Sequence, residues 1–158
     1  MSAQTHTGGC QCGAIRFRIT GDLKDSSICH CRMCQKATGG LYAPTADVTG
    51  LTWTRGAPAH FQSSNLARRG YCADCGTPLT YEAPDGTAIA AGAFDDPSRL
   101  PPVVQFGTEA RIDFVEHLHE LPGHRTEEDA EAAPFVLDVI SYQHPDHDTK
   151  TWPPEDHP

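Results

Sequence analysis

The chain has no apolar run approaching the ~20 residues that a membrane-crossing helix needs, which excludes a helical span. It is also short of positive charge: 12 Lys and Arg stand against 21 Asp and Glu, for a formal net charge of −9. So acidic a balance gives no general attraction to nucleic acid or to an anionic membrane. The small basic clusters, Arg16/Arg18 and Arg68-Arg69, read as solvated surface. Met1 to Thr7 is polar and lacks the apolar stretch of a signal peptide, so the expected location is cytoplasmic. There is no internal repeat. The apolar fraction is only 38%, while 13 prolines and 14 glycines favour loops. That combination predicts one loop-rich, mainly β domain whose small core needs reinforcement.

No cysteine stands alone. The seven fall into three tight clusters: Cys10-Gln-Cys12, Cys29-His-Cys31-Arg-Met-Cys34 and Cys72-Ala-Asp-Cys75. Thiols one or three residues apart can grip one small ion but are poorly placed to staple distant parts of a chain. A secreted disulfide scaffold carries an even count spread along its length; here the count is odd and the clustering local. The spacings match no ferredoxin pattern. Thiolate softness points first to zinc.

Between the clusters, Ala14 to Ile19 alternates apolar and charged residues, predicting a strand with Ile15, Phe17 and Ile19 inward and Gly21-Asp22 at its end. Leu51–Thr54 and Ala59–Gln62 read as a hairpin around Arg55-Gly56-Ala57-Pro58. Arg69–Tyr71 and Pro78–Tyr81 flank the third cysteine cluster as strands. Thr87 to Phe94 and Ile112 to Leu118 read as two more. A short helix is expected over Arg32–Ala37, stopped by Gly39-Gly40, and a helical turn at Asp96–Arg99 with Pro97 at its start. From about Arg125 the chain becomes acidic and helix-permissive over 127–131. Phe135–Ile140 is an apolar run expected to pack on the domain. His144 to Pro158 is expected to be extended and partly mobile.

Seven thiolates divide naturally into a closed four-ligand site and a three-ligand site with an open position. The favoured grouping joins Cys10 and Cys12 with Cys72 and Cys75, pinning the first strand to a later hairpin. Cys29, Cys31 and Cys34 then wrap a second ion at a helix N-terminus, where the dipole and free amides lower thiol pKa values. Spacing leaves a rival. Cys31/Cys34 with Cys72/Cys75 is the double Cys-x-x-Cys of a zinc ribbon, with Cys10, Cys12 and Cys29 left over.

These motifs carry a family resemblance. Gly8-Gly9-Cys10-Gln11-Cys12-Gly13-Ala14-Ile15-Arg16 resembles the opening of the glutathione-dependent formaldehyde-activating enzyme (GFA) family, which includes centromere protein V. Cys29 to Gly39 is similar to its second motif, and Ser63-Ser64 with Arg69 to Leu79 to its third. Gly92-Ala93-Phe94-Asp95-Asp96-Pro97 resembles a turn near its end. The resemblance implies a zinc-stabilised β-tent (Mss4-like) fold of small antiparallel sheets over residues 6–124, followed by an extension, 125–158, acidic and then His/Pro-rich. It implies two zinc ions per chain, a structural one on Cys10, Cys12, Cys72 and Cys75 and a catalytic one on Cys29, Cys31 and Cys34. It also implies carbon–sulfur lyase chemistry that joins formaldehyde and glutathione as S-hydroxymethylglutathione. Two departures stand out. Where many members carry a His and then a Trp after a proline pair, this chain has Gln105-Phe106-Gly107, and Phe114 occupies a place where a second Trp is common.

Three thiolates donate strongly, so an ion they hold is a weak Lewis acid, better suited to capturing a thiol than to activating water. The expected partner is a small thiol or thiol–aldehyde adduct, with no nucleic acid or membrane and no oligomeric state specified. The alternative is a non-catalytic, zinc-stabilised binding module that docks a protein. His30, between two ligands, is a candidate proton shuttle, with an equally good reading as a neighbour of the ligands or a surface residue. Lys36, Arg32 and Arg68 are candidates for attracting substrate carboxylates, and Ser63 and Ser64 for hydrogen bonds to substrate, although surface charge and turn structure are their default readings. His117 and His119 would share a strand face. His144 and His147 are candidates for a metal site or a lid, with polar tail surface the better reading.

Overall fold

The computed structural model describes residues 5–21, 23–128 and 133–153. Ten strands build it: β1 (His6–Gly9), β2 (Arg16–Ile19), β3 (Leu23–Cys29), β4 (Ala43–Val48), β5 (Leu51–Arg55), β6 (Ala59–Gln62), β7 (Arg68–Tyr71), β8 (Pro78–Ala83), β9 (Gly86–Ala90) and β10 (Pro102–Phe106). The α-helix among the described residues is α1 (Arg32–Thr38), closed by Gly39 in the left-handed conformation. Strands β1-β2-β5 form one small sheet, and β10-β3-β4-β9-β8-β7-β6 a second. The architecture is mainly β and antiparallel, as expected, with one exception: β10 runs parallel to β3. Among the described residues no helix is long and apolar enough to cross a membrane.

The core draws on both sheets. Phe17 and Ile19 of β2 are fully buried with Leu79 of β8 and Ile89 of β9. The Phe17 ring meets Trp53 and Phe94 edge-on, with centroids 6.1 and 5.3 Å away, a favoured aromatic geometry. The alternation of β2 is thus confirmed for Ile15, Phe17 and Ile19, but Arg16 is not surface. It is 3% exposed. Its guanidinium donates to both Asp95 oxygens at 2.8 and 2.6 Å and to Asp148 Oδ1 at 2.9 Å. A buried guanidinium persists only when paired in this way.

Several expectations require correction. Leu51–Thr54 and Ala59–Gln62 do not form a hairpin. Strand β5 pairs with β2, bringing Trp53 opposite Phe17, while β6 pairs with β7. Burying Trp53 against Phe17 draws β5 into the small sheet, so the Arg55–Pro58 connection crosses between sheets instead of folding back. Thr87 to Phe94 is strand only to Ala90 and then makes a 3-10 turn. Ile112 to Leu118 is not a strand: Asp113–Glu120 is 3-10 helix, supported by local pairs of Arg111 with Glu116 and His117 with Glu120. The three-residue period separates His117 from His119, so they share no strand face. The apolar run does not pack inward: Phe135, Leu137, Val139 and Ile140 are all exposed. The acidic stretch 127–131 lies largely outside the described residues, as does Asp22.

The C-terminal segment also departs from its expectation, because it is strapped onto the Cys10–Cys12 turn. The His144 amide donates to Gln11 O at 2.8 Å, and Trp152 Nε1 donates to Cys12 O at 2.7 Å. Their two rings lie over Gly13, whose φ is +75° and where any Cβ would collide with both; only glycine satisfies the turn and the close approach together. His144 is 3% exposed. Nothing further is needed to balance its ring as a neutral imidazole: Nδ1 donates to Pro145 O, and Nε2 accepts from the Thr149 hydroxyl at 2.9 Å.

Candidate metal centres

Two turns carry the first sulfur group. In one, Gly13 N bonds Cys10 O and Cys10 N bonds Ile15 O; in the other, Gly76 N bonds Cys72 O and Cys72 N bonds Thr77 O. Gln11 N donates to Thr77 Oγ1 at 3.0 Å and locks the turns face to face. The sulfurs of Cys10, Cys12, Cys72 and Cys75 all lie within 4.8 Å of one another. Cys10–Cys12 and Cys12–Cys72 are 3.6 and 3.8 Å apart. An ion ~2.3 Å from four tetrahedral sulfurs sets them about 3.8 Å apart, whereas a disulfide would need about 2.05 Å. All seven cysteines are free. The donor set therefore fits a tetrahedral metal, and the zinc-ribbon partition does not occur.

The second group lies where β3 runs into α1. Cys29 ends the strand, Cys31 caps the helix, and Cys34 sits in its first turn, its amide donating to Cys31 Sγ at 3.4 Å. These three sulfurs also lie within 4.8 Å of one another, and among the described residues no fourth Cys, His, Asp or Glu joins them. Burial, reinforced by hydrogen bonds with the other two thiols, pushes Cys29 up to about 12. Burial also opposes ionisation of Cys31, but the Cys34 and Met33 amides and the neighbouring thiols outweigh it and pull that thiol below its ordinary value. The same split divides the first group: burial raises Cys12 to about 12, while Cys75, despite burial, is drawn down to about 6 by Thr77. Crowded thiols cannot all ionise together without a cation among them, and binding one would release protons.

His30 is wholly buried, not a surface residue. Its Nε2 donates to Gln105 Oε1 at 2.9 Å, its ring packs on Tyr42, and its Nδ1 has no hydrogen-bond partner. The His30 amide donates to Phe106 O at 2.9 Å. Gln35, 3% exposed, ties the loop to the turn beyond β10 by donating to His30 O at 2.6 Å and Ala110 O at 3.1 Å. Gly107, with φ +62°, presses on Cys31; a Cβ there would lie 2.8 Å from the Cys31 amide. The Gln105-Phe106-Gly107 departure thus forms the wall of the three-sulfur loop.

A cleft of about 480 Å³ opens beside α1, lined by Arg32, Met33, Lys36, Phe61, Ser63 and Arg69 among others. Arg32 and Lys36 line this cleft. Arg68 does not; it pairs with Glu82 at 2.6 Å. Its neighbour Arg69, expected as solvated surface, donates to Cys34 Sγ at 3.3 Å. Adjacent strand residues face opposite ways, and nothing local says which arginine faces the site. Ser63 accepts from Arg69 Nε at 3.0 Å, whereas Ser64 caps its own turn through the Leu66 and Ala67 amides. His117, His119 and His147 are exposed and join neither sulfur group. His144, expected as tail surface, is instead buried beside the first group. A second cavity, about 410 Å³, adjoins that group, but Arg16, Asp95 and His144 on its wall are already hydrogen-bonded.

A family model described as glutathione-dependent formaldehyde-activating enzyme matches residues 5–110. The chain belongs to that family. The match spans all seven cysteines and ends before the C-terminal strap. A solved structure of a Rhodobacter sphaeroides protein is similar over 63% of this chain and 98% of its own, at 22% identity and a TM-score of 0.49.

Proposed function

We propose that this protein is a zinc-dependent carbon–sulfur lyase acting on a small thiol–aldehyde adduct of the S-hydroxymethylglutathione type. It would hold two zinc ions, a structural one on Cys10, Cys12, Cys72 and Cys75 and a catalytic one on Cys29, Cys31 and Cys34. The observation that carries the reading is the contrast between the groups: four sulfurs close a tetrahedron, and three beside a cationic cleft leave one corner for substrate. When bound there, zinc supplies the electropositive corner that favours the thiolate form of a substrate sulfur. Arg32 and Lys36 line the approach with positive charge and suit a carboxylate-bearing thiol. Met33 and Phe61 give the cleft an apolar face. Gln35, Gln105 and Gly107 hold the sulfur loop in place. His30 takes the proton-transfer role through Nδ1, the buried ring nitrogen left without a partner. Seven free thiols suit a reducing compartment, in keeping with cytoplasmic residence.

The test is formation of S-hydroxymethyl adduct from formaldehyde and glutathione, or another small thiol, by zinc-loaded protein and by Cys31→Ser. Turnover that vanishes in Cys31→Ser while one zinc and the fold remain supports the reading. Equal turnover in the two proteins overturns it. The exposed Phe135, Leu137, Val139 and Ile140 favour a second reading, in which both metals serve the fold and this segment docks a protein. Loss of partner binding on replacing these residues, with no thiol chemistry in the parent, would select it.

A further inference from the structure

Arg69 belongs to β7, in a different part of the sheet from the cysteine loop, yet three contacts fix its guanidinium at that loop. Nη2 donates to Cys34 Sγ at 3.3 Å, Nε donates to Ser63 Oγ at 3.0 Å, and the guanidinium carbon lies 4.9 Å from the centre of the Tyr81 ring. Among the described residues no carboxylate forms an ion pair with it, whereas Arg68 next door is paired with Glu82. The positive charge of Arg69 is therefore directed at sulfur.

We propose that Arg69 is a positioning residue for thiol capture, making the three-sulfur group accept a fourth, substrate sulfur by offsetting thiolate charge through Cys34. The inference rests on the proposed function. Three thiolates around a dication leave one net negative charge, and a fourth doubles it. That second charge is the electrostatic obstacle to capture. A guanidinium hydrogen-bonded to Cys34 keeps the assembly one unit less negative before and after capture, and draws electron density from Cys34 so that a further donor is accepted. On capture the substrate S–H bond would break, its proton passing by way of His30 to solvent, and its sulfur would join the three cysteine sulfurs as a fourth donor; no oxidant is involved. The same guanidinium also lines the cleft beside α1.

The test uses full-length protein loaded with cobalt and titrated with 2-mercaptoethanol, following the cobalt–thiolate absorption bands. This thiol has no carboxylate, so attraction of Arg69 to a substrate carboxylate cannot contribute. Arg69→Gln should keep two cobalt ions per chain but need roughly ten-fold more thiol, the scale of a lost charge-assisted hydrogen bond. Arg69→Lys should recover part of the difference, and Ser63→Ala, which frees the guanidinium but keeps its charge, should show a smaller shift in the same direction. A wild-type midpoint in Arg69→Gln overturns the inference and leaves the proposed function standing. If Arg69→Gln does not load cobalt, Ser63→Ala decides in the same way. No spectral response to thiol in the parent protein overturns the proposed function itself, and this inference with it.

Discussion

Replacing Trp152 with alanine removes the clasp that holds the C-terminal segment over the Cys10–Cys12 turn. The indole N–H bond to Cys12 O is 2.7 Å long, and the ring packs on His144 with centroids 5.1 Å apart. The lost hydrogen bond is worth about 1 kcal/mol net. Exposing the half-buried ring adds about 1 kcal/mol more. Together, about 2 kcal/mol of local opening free energy becomes a roughly 30-fold higher population of the open turn. Because this turn carries two of the four sulfurs, a chelator should extract metal from the Cys10–Cys12–Cys72–Cys75 group about 30-fold faster. Among the described residues the other group shares no hydrogen bond with the strap and serves as an internal control, so release should become biphasic with only one phase accelerated. Trp152→Phe, which keeps a ring but loses the N–H, should fall between. Unchanged release in Trp152→Ala, or equal acceleration of both phases, would refute the clasp.

Cys72→Ser should abolish soluble folding, because the residue is 1% exposed at the junction of the two turns, whereas Cys31→Ser should keep the fold and lose one metal; metal analysis with circular dichroism separates the outcomes. Asp95→Ala strands the Arg16 guanidinium with Asp148 as its remaining carboxylate and should cost about 2–3 kcal/mol, a fall of roughly 5–10 °C in thermal midpoint. Burial would raise the Asp95 carboxyl, but Arg16 and Thr7 outweigh it and hold it below its ordinary value. The stability it adds is therefore complete above about pH 4, is lost as pH falls through the depressed native value, and should be missing from the acid limb of the pH–stability curve of Asp95→Asn. Burial, aided by Arg16 and Arg55, lowers the pKa of His144, so the strap is firmest above about pH 6.5 and weakens below it as the ring gains a proton; His144→Gln should flatten that step in chelator-release rates. Gly107→Ala forces a left-handed alanine against Cys31 at about 1–2 kcal/mol and should weaken metal binding at the three-sulfur group alone, read by competition titration.

How much of this was legible in the sequence depends on the range of the interaction. Ligands one or three residues apart announce a chelate because the chain itself sets their separation. Helix α1 announces itself through its glycine stop, and Phe17 and Ile19 through strand alternation. Choices between partners distant in the chain were not written locally. Trp53 could turn back onto the next strand or cross to Phe17, and only the shape of the core decides. Arg16 reads as the solvent side of an alternating strand until Asp95 and Asp148, remote in sequence, arrive to neutralise it. Arg68 and Arg69 are the same residue type at adjacent positions, and strand register alone sends one to Glu82 and the other to Cys34. His144 reads as polar tail because nothing near it shows that Gly13 leaves room for its ring.

The same distinction separates the metal chemistry from the substrate. The sulfur spacing lies in the turns and at the helix cap, and the family match covers all of it. The wall facing the three-sulfur loop comes instead from β10 and the turn after it. There Gln105 meets the His30 ring, Phe106 O takes the His30 amide, and Gly107 lets the backbone close on Cys31. A residue with a side chain at 107 would hold the loop farther off, and a histidine in place of Gln105 would change how the His30 ring is bonded. Under the proposed function, a change at 105 that leaves Gly107 in place alters the bonding of the His30 ring and should change which thiol is accepted without moving a sulfur. Substituting His at 105 should therefore shift preference among small thiols while the metal content stays at two. If metal content changes instead, the wall and the sulfur loop are one unit and the separation fails.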